Sequence, residues 1–261
     1  TEEQILNDLK QLGLSANKFL GQHFLRDEKI IDSMVEAIAL DTIDTIIEVG
    51  PGLGILTKRL AETGKRVVAI EKDKHLSSVL KKRWISFRNV EIVSSDILVC
   101  DIDSLVKKDE RYAIVANLPY NITARFLKQY LSEKEHKPVE MVVMIQKEVA
   151  ERMSAPAGRL TKLGLLSQIY SDTTILINTI SKDSFVPPPK VLSAVVRCVI
   201  RKKPLPIFPQ HEQVFWRLVR IGFSSKRKML SNNLFAGLHI SSREAKEMLT
   251  LARISPSSRA E

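Results

Sequence analysis

The sequence predicts an α/β protein: a largely parallel sheet covered by helices on both faces, followed by a smaller helical and basic segment. Three observations carry this. Short apolar runs alternate with helix-patterned stretches from Thr45 to Met153. Most of the runs end at a glycine, a carboxylate or an amide, where the chain would leave a sheet. Cations crowd the last fifty residues: Arg217, Arg220, Lys226, Arg227, Lys228 and Arg243. A chain of 261 residues, 44% hydrophobic, suffices for one large domain plus a small one. Forty Lys and Arg against thirty Asp and Glu give a net charge of +10, which favours a polyanionic partner. No run of 18 apolar residues occurs, so a membrane-spanning helix is not expected. Two distant cysteines, Cys100 and Cys198, read as buried thiols of a reducing compartment; neither a disulfide framework nor a metal site is indicated.

Taken in order, residues 1–16 place Ile5, Leu6, Leu9 and Leu12 at helical spacing. Phe19 to Asp27 is too mixed for a regular element and too apolar for an exposed loop. A buried irregular segment holding Gln22 and His23 suits the lining of a ligand site, with a satisfied core histidine as the alternative. Asp27 can cap a helix whose apolar face is Ile30, Ile31, Met34, Val35 and Ile38. Strands are predicted at 45–49, 66–70, 90–93, 113–116 and 140–145, with helices after Gly54, from Lys74 to Trp84, and from Gln146 to Met153. Residues 173–180 and 194–200 should close the sheet as an antiparallel pair. Phe185 to Lys190, with three prolines, reads as a stiff extended loop. Residues 201–210 read as a linker. The domains are therefore expected at 1–203 and 204–261. Neither end of the chain looks like a natural terminus: it opens without Met and closes without a finished helix.

The turn Gly50-Pro51-Gly52-Leu53-Gly54 follows the first long strand. Its spacing is G-x-G-x-G, and Ile55 stands where a dinucleotide fingerprint needs glycine. Glycines there admit positive φ and close approach to a ligand. Carboxylates stand at one edge of the same sheet. Glu71, some twenty residues on, can accept from ribose hydroxyls, Asp96 from an adenine amine, and Glu48 can meet an ammonium. Adenosine plus an amino acid fits this set, and S-adenosylmethionine is the economical cofactor.

Asn117-Leu118-Pro119-Tyr120 follows the fourth strand. Proline has no amide hydrogen for the ladder, so the chain must leave the sheet there. The Asn117 oxygen and the Leu118 carbonyl are two acceptors for an NH2 group, and Tyr120 can stack on the ring that carries it. A nucleobase amine is the natural guest. An ordinary strand-to-loop turn would also use Asn and Pro.

Six motifs occur in order: Gly21-Gln22-His23-Phe24-Leu25, Glu48-Val49-Gly50-Pro51-Gly52-Leu53-Gly54, Asn117-Leu118-Pro119-Tyr120-Asn121-Ile122, Gln146-Lys147-Glu148-Val149-Ala150-Glu151-Arg152, Phe185-Val186-Pro187-Pro188-Pro189-Lys190-Val191 and Phe223-Ser224-Ser225-Lys226-Arg227-Lys228. Together they resemble the ribosomal RNA adenine dimethyltransferases of the kasugamycin-sensitivity type, over roughly residues 19–261. The resemblance implies a Rossmann-like, S-adenosylmethionine-dependent methyltransferase sheet with a smaller all-helical C-terminal domain. It implies two adjacent adenines near the 3′ end of small-subunit rRNA as substrate, each methylated twice on N6. By position it implies His23, Leu25, Gly50, Gly52, Glu71, Asp96 and Asn117 at the cofactor. It puts Asn117 to Tyr120 on the target base, with Phe185 on the base's other face. Lys226, Arg227 and Lys228 would meet RNA. A monomeric cytoplasmic protein acting on the pre-ribosomal small subunit follows. One departure stands out: the family's usual Tyr-Gly-Arg-Leu-Ser is Leu163-Gly164-Leu165-Leu166-Ser167 here, which removes a Tyr and an Arg from a loop near the RNA. Three rivals remain. They are a large-subunit rRNA adenine methyltransferase, disfavoured by Lys226 to Lys228, an assembly factor without essential catalysis, and a nicotinamide dehydrogenase, disfavoured by Ile55.

Overall fold

The computed structural model describes residues 2–11, 22–204 and 211–260. The expectations for Leu12, Phe19, Leu20 and Gly21, and for most of the linker, lie outside these residues. The chain divides into two compact units, Thr1–Glu151 with Ser171–Arg201, and Arg152–Tyr170 with Lys202–Glu261.

In the first unit, α1 (Glu2–Gln11) precedes β1 (Phe24–Leu25) and α2 (Glu28–Glu36). Asp27 caps α2 by accepting from the Lys29 amide at 3.1 Å. Then follow β2 (Thr45–Val49), α3 (Ile55–Glu62), β3 (Arg66–Glu71), α4 (Lys74–Arg83), β4 (Val90–Ser94), β5 (Tyr112–Asn117), α5 (Thr123–Lys128), β6 (Glu140–Gln146) and α6 (Lys147–Met153). After α7 (Lys162–Tyr170), which belongs to the second unit, come β7 (Ser171–Ile180), β8 (Phe185–Val186) and β9 (Ser193–Ile200). Seven strands form one sheet in the order β4-β3-β2-β5-β6-β9-β7. The first five run parallel, and β9 and β7 close the sheet antiparallel. Every residue of β2 is buried, as a strand covered on both faces requires.

The order turns back at β2, which pairs with β3 on one side and β5 on the other. In open α/β sheets the crevice outside the carboxyl ends at such a switch point binds ligands. Register fixes what projects there. Glu48 sits opposite Ala69 and Val115, so Glu71 and Asn117 lie two residues further along the neighbouring strands. A period of two puts Glu48, Glu71 and Asn117 on one face of the sheet. That face carries Ile46, Val67, Val115, Val142, Met144 and Val195 into a core with Ile30, Ile31 and Met34 of α2 and Leu56 and Leu60 of α3.

Two segments differ from the sequence expectation. Phe24 and Leu25 are not irregular; they pair antiparallel with Val186 and Phe185 in a two-stranded ribbon. The stretch taken as an extended loop therefore starts as the partner strand β8. A two-residue strand is too short to show alternation. The helices α5 and α7 were not anticipated either.

In the second unit, α8 (Glu212–Gly222), α9 (Leu230–Leu238) and α10 (Ser242–Leu251) bury Leu234, Ala245 and Leu249 against Ile221, Leu230, Leu238 and Ile240. A Cβ at Gly237 would lie 2.5 Å from the Ile221 Cγ2, so α9 crosses α8 where only glycine fits. Ser241 and Glu244 form a reciprocal capping box at the start of α10. Residues Arg152–Tyr170, expected in the first domain, group with these helices. The Tyr170 ring stacks on Trp216 at 6.2 Å and its hydroxyl accepts from the Trp216 indole at 3.1 Å.

Candidate active site

A cavity opens at the carboxyl ends of β2, β3 and β5. It is lined by Gln22, His23 and Leu25, by Glu48 and the turn from Gly50, by Glu71 and Lys72, by Asp96, and by Asn117 to Ile122. Every residue expected at the cofactor is thus brought to one cavity.

The turn is built by backbone geometry. Gly50, Gly52 and Gly54 have φ of 68°, 57° and 82°, a region that penalises side chains. Open space surrounds the position of a Cβ on Gly50, whereas one on Gly52 would meet the Phe24 ring at 3.1 Å. Glycine keeps the floor of the cavity open at the first and allows β1 to close over the turn at the second.

Glu48 is buried beside Thr57 and Glu71, and neither carboxylate oxygen has a donor within hydrogen-bond distance among the described residues. Burial pushes its pKa up to about 8; Thr57 opposes this, and the nearby Glu71 adds to it. An orphaned buried carboxyl is costly unless a cation arrives. Glu71 is also buried, and its carboxyl is raised by burial against backbone donors, among them the Asp73 amide at 2.8 Å. Asp96 is held differently. Its Oδ1 accepts from the Leu98 amide at 3.0 Å, and its Oδ2 pairs with the Lys72 ammonium at 2.9 Å. Burial acts to raise its pKa, but the Leu98 amide and Lys72 outweigh this and hold it below the ordinary value. Asp96 thus has a partner already, and Lys72 is a cavity residue the sequence reading did not name. Its position directly after Glu71 was the available signal.

The Asn117 amide is oriented by its partner. Its Nδ2 donates to the His23 carbonyl at 2.9 Å. A carbonyl can only accept, so the NH2 must face it and Oδ1 is left for the cavity. The Leu118 amide donates to the Met144 carbonyl at 3.1 Å, and no described residue donates to the Leu118 carbonyl. The Tyr120 ring stacks on the His23 ring at 5.9 Å and 24°, and its hydroxyl lies 2.7 Å from the Ser193 Oγ. Burial raises the Tyr120 pKa more than Ser193 lowers it, so the phenol stays protonated near neutral pH. His23 Nδ1 donates to the Pro187 carbonyl at 2.7 Å, which fixes the tautomer when the ring is neutral.

One assignment differs. Phe185 does not line the cavity. It is 2% exposed and packs in the core with Leu25 and Ile30, because its strand pairs with β1 and turns that side chain inward. It has no face free to stack on a base. In the second unit, Lys226, Arg227 and Lys228 occupy the exposed turn between α8 and α9. The turn is secured by the buried Asn233, whose Nδ2 donates to the Gly222 and Ser225 carbonyls at 2.6 and 3.1 Å. Leu163 and Leu165, at the family's Tyr and Arg positions, lie half-buried on α7.

The donor set suits a ligand with an ammonium for Glu48, ribose hydroxyls for Glu71 and a flat amine-bearing ring beside Asn117 and Tyr120. Comparison with known proteins agrees. The family model described as ribosomal RNA adenine dimethylase matches residues 13–260. A ribosomal RNA small subunit methyltransferase A of Dehalococcoides mccartyi is 40% identical, covering 95% of this chain and 84% of that protein. One from Staphylococcus epidermidis is 39% identical over 86% of this chain and 77% of its own length. Among solved structures, a dimethyladenosine transferase from Plasmodium falciparum aligns with a TM-score of 0.67 and 28% identity, covering 90% of this chain and 83% of that one. The 23S rRNA methyltransferase ErmE aligns with a TM-score of 0.70 and 25% identity, covering 91% and 93%.

Proposed function

Because the chain belongs to the ribosomal RNA adenine dimethylase family, and so is an S-adenosylmethionine-dependent rRNA adenine dimethyltransferase, we propose that Asn117 to Tyr120 hold the target amine in line with the methyl donor. The observation that carries this is the Asn117 amide, whose NH2 is engaged by the His23 carbonyl, leaving its oxygen as an acceptor. When bound, S-adenosylmethionine supplies an electrophilic methyl group. Glu48 meets its ammonium, Glu71 its ribose and Asp96 the adenine edge beside Lys72. On the substrate side, an adenine amine is a poor nucleophile because its lone pair is delocalised into the ring. The Asn117 oxygen and the Leu118 carbonyl favour a pyramidal nitrogen whose lone pair can attack. Tyr120 stacks on the ring. Alignment of this kind is worth about 7–11 kcal/mol when near-attack geometry is well held. No general base is needed before attack, since the nitrogen becomes acidic only once methylated, and the protonated Tyr120 fits that. The base must leave its stack to enter, which loop adenines do at low cost.

The substrate in this reading is a pair of adjacent adenines near the 3′ end of small-subunit rRNA, met in the pre-ribosomal small subunit of the cytoplasm by a monomer. The two small-subunit relatives at 40% and 39% identity support that branch. The fold likeness to a 23S rRNA enzyme is equally strong, so fold alone does not separate the branches. The exposed cations of the second unit serve RNA affinity. The test is methyl transfer from labelled cofactor to under-methylated small and large subunits offered together, with mapping of the modified base. Label in two adjacent small-subunit adenines is expected; label confined to large-subunit rRNA would overturn the assignment.

A further inference from the structure

We infer that Ser193 is a positioning residue for methyl transfer: its hydrogen bond to the Tyr120 hydroxyl sets the plane of the ring on which the target adenine stacks. This rests on the role given to Asn117 to Tyr120 above. Ser193 is the first residue of β9, fully buried, and 73 positions from Tyr120 in the chain. Its backbone pairs on both sides, in regular register opposite Gln146 of β6 and, past a shift in register, opposite Ile180 of β7. An Oγ carried on such a strand is a fixed point, whereas Tyr120 sits on the loop after β5 and is only half-buried. The 2.7 Å contact therefore transfers the rigidity of the sheet to the ring.

A second restraint acts from another side. The His23 ring stacks on Tyr120, and His23 is held by its Nδ1 donating to the Pro187 carbonyl. The phenol is thus held at its tip by Ser193 and along its ring by His23. Attack by the adenine amine forms the N–CH3 bond as the S–CH3 bond breaks and places positive charge on the adenine. The proton then leaves the amine for solvent. An aromatic face stabilises cationic charge. A misaligned ring therefore costs more in the transition state than in the ground state, and the loss falls on kcat more than on KM.

The test is a double-mutant cycle of wild type, Ser193→Ala, Tyr120→Phe and the double variant. Single-turnover transfer to under-methylated small subunits gives the rate, calorimetry gives cofactor affinity, and melting temperatures monitor folding. Each single variant is expected to lose about three- to tenfold in rate, the scale of one neutral hydrogen bond. The KM for subunits and cofactor affinity should stay within twofold. The double variant should match either single one, since both remove the same bond. Multiplying losses, or a Ser193→Ala enzyme at wild-type rate, would contradict the assignment. If Ser193→Ala melts below the assay temperature, Tyr120→Phe decides, because it removes the same bond from the loop side; a wild-type rate there refutes the inference. A wild-type protein that transfers no methyl to adenine would instead overturn the reading on which the inference stands.

Discussion

Glu48 should make cofactor binding release a proton. Its carboxyl is buried without a hydrogen-bond partner among the described residues, and burial holds its pKa at about 8 against an ordinary value of 4.5. In the empty site at pH 7 it is mostly protonated. An ammonium placed against it favours the carboxylate, so the bound pKa falls below the free one. The bound state then holds fewer protons, and affinity must rise with pH. The rise is about tenfold per pH unit below 8 and ends there, since the ligand's own α-ammonium loses its proton at about that pH. At pH 7 ionising Glu48 costs about a factor of ten, or about 1.4 kcal/mol, and at pH 6 about a hundredfold. Among the described residues the groups acting on it are Thr57 and Glu71, neither of them cationic. Calorimetry at pH 7 in two buffers of different ionisation enthalpy counts the protons directly. About one should leave per S-adenosylmethionine bound, and Glu48→Gln should abolish the release and flatten the pH dependence between 6 and 8. No release by the wild type, or equal release by the variant, would refute this role for Glu48. The same shift affects the empty protein in the opposite sense. The folded state binds the extra proton, so its contribution to stability is present below about pH 4.5 and is lost as pH rises through about 8.

Three further outcomes are expected. Glu71→Ala should weaken S-adenosylmethionine binding by about 1.5–3 kcal/mol, the loss of a charge-assisted hydrogen bond; unchanged affinity by calorimetry would remove Glu71 from the ribose. Replacing Lys226, Arg227 and Lys228 by Ala should lower affinity for the small subunit and reduce its salt slope by up to about two, with cofactor affinity unchanged; an unaltered slope would count against an RNA-facing turn. Gly54→Ala should destabilise the fold by about 1–3 kcal/mol, since φ is 82° and the added Cβ would lie 2.9 Å from the Trp84 Nε1; an unchanged melting temperature would contradict that.

The sheet was legible because its strands are short, apolar and bounded by glycine, carboxylate or proline. The cofactor cavity was legible because Glu48, Glu71 and Asp96 end consecutive elements of one edge. What escaped rests mainly on pairing between distant residues. Phe185 belongs to a two-residue strand, and only its pairing with Leu25 turns its ring into the core. The Lys72 partner of Asp96 and the Ser193 partner of Tyr120 are 24 and 73 residues away along the chain. Such contacts follow from the register of neighbouring elements, which a single strand's pattern does not contain. Residues 152–170 group with the C-terminal helices, and the stack of Tyr170 on Trp216 is again a long-range pair.

The most direct test of the account is Asn117→Ala, read by single-turnover kinetics with analysis of the modified base. The substitution removes one of two acceptors for the amine and frees the His23 carbonyl, while Tyr120 keeps its bond to Ser193. Binding of the subunit should persist within a few-fold. The rate should fall by about 10²-fold or more, the scale for one preorganised polar contact to a transition state. A monomethylated amine offers a single N–H, so residual product should be enriched in monomethyladenine. A variant that delivers both methyl groups at near wild-type rate would contradict the role assigned to Asn117-Leu118-Pro119-Tyr120.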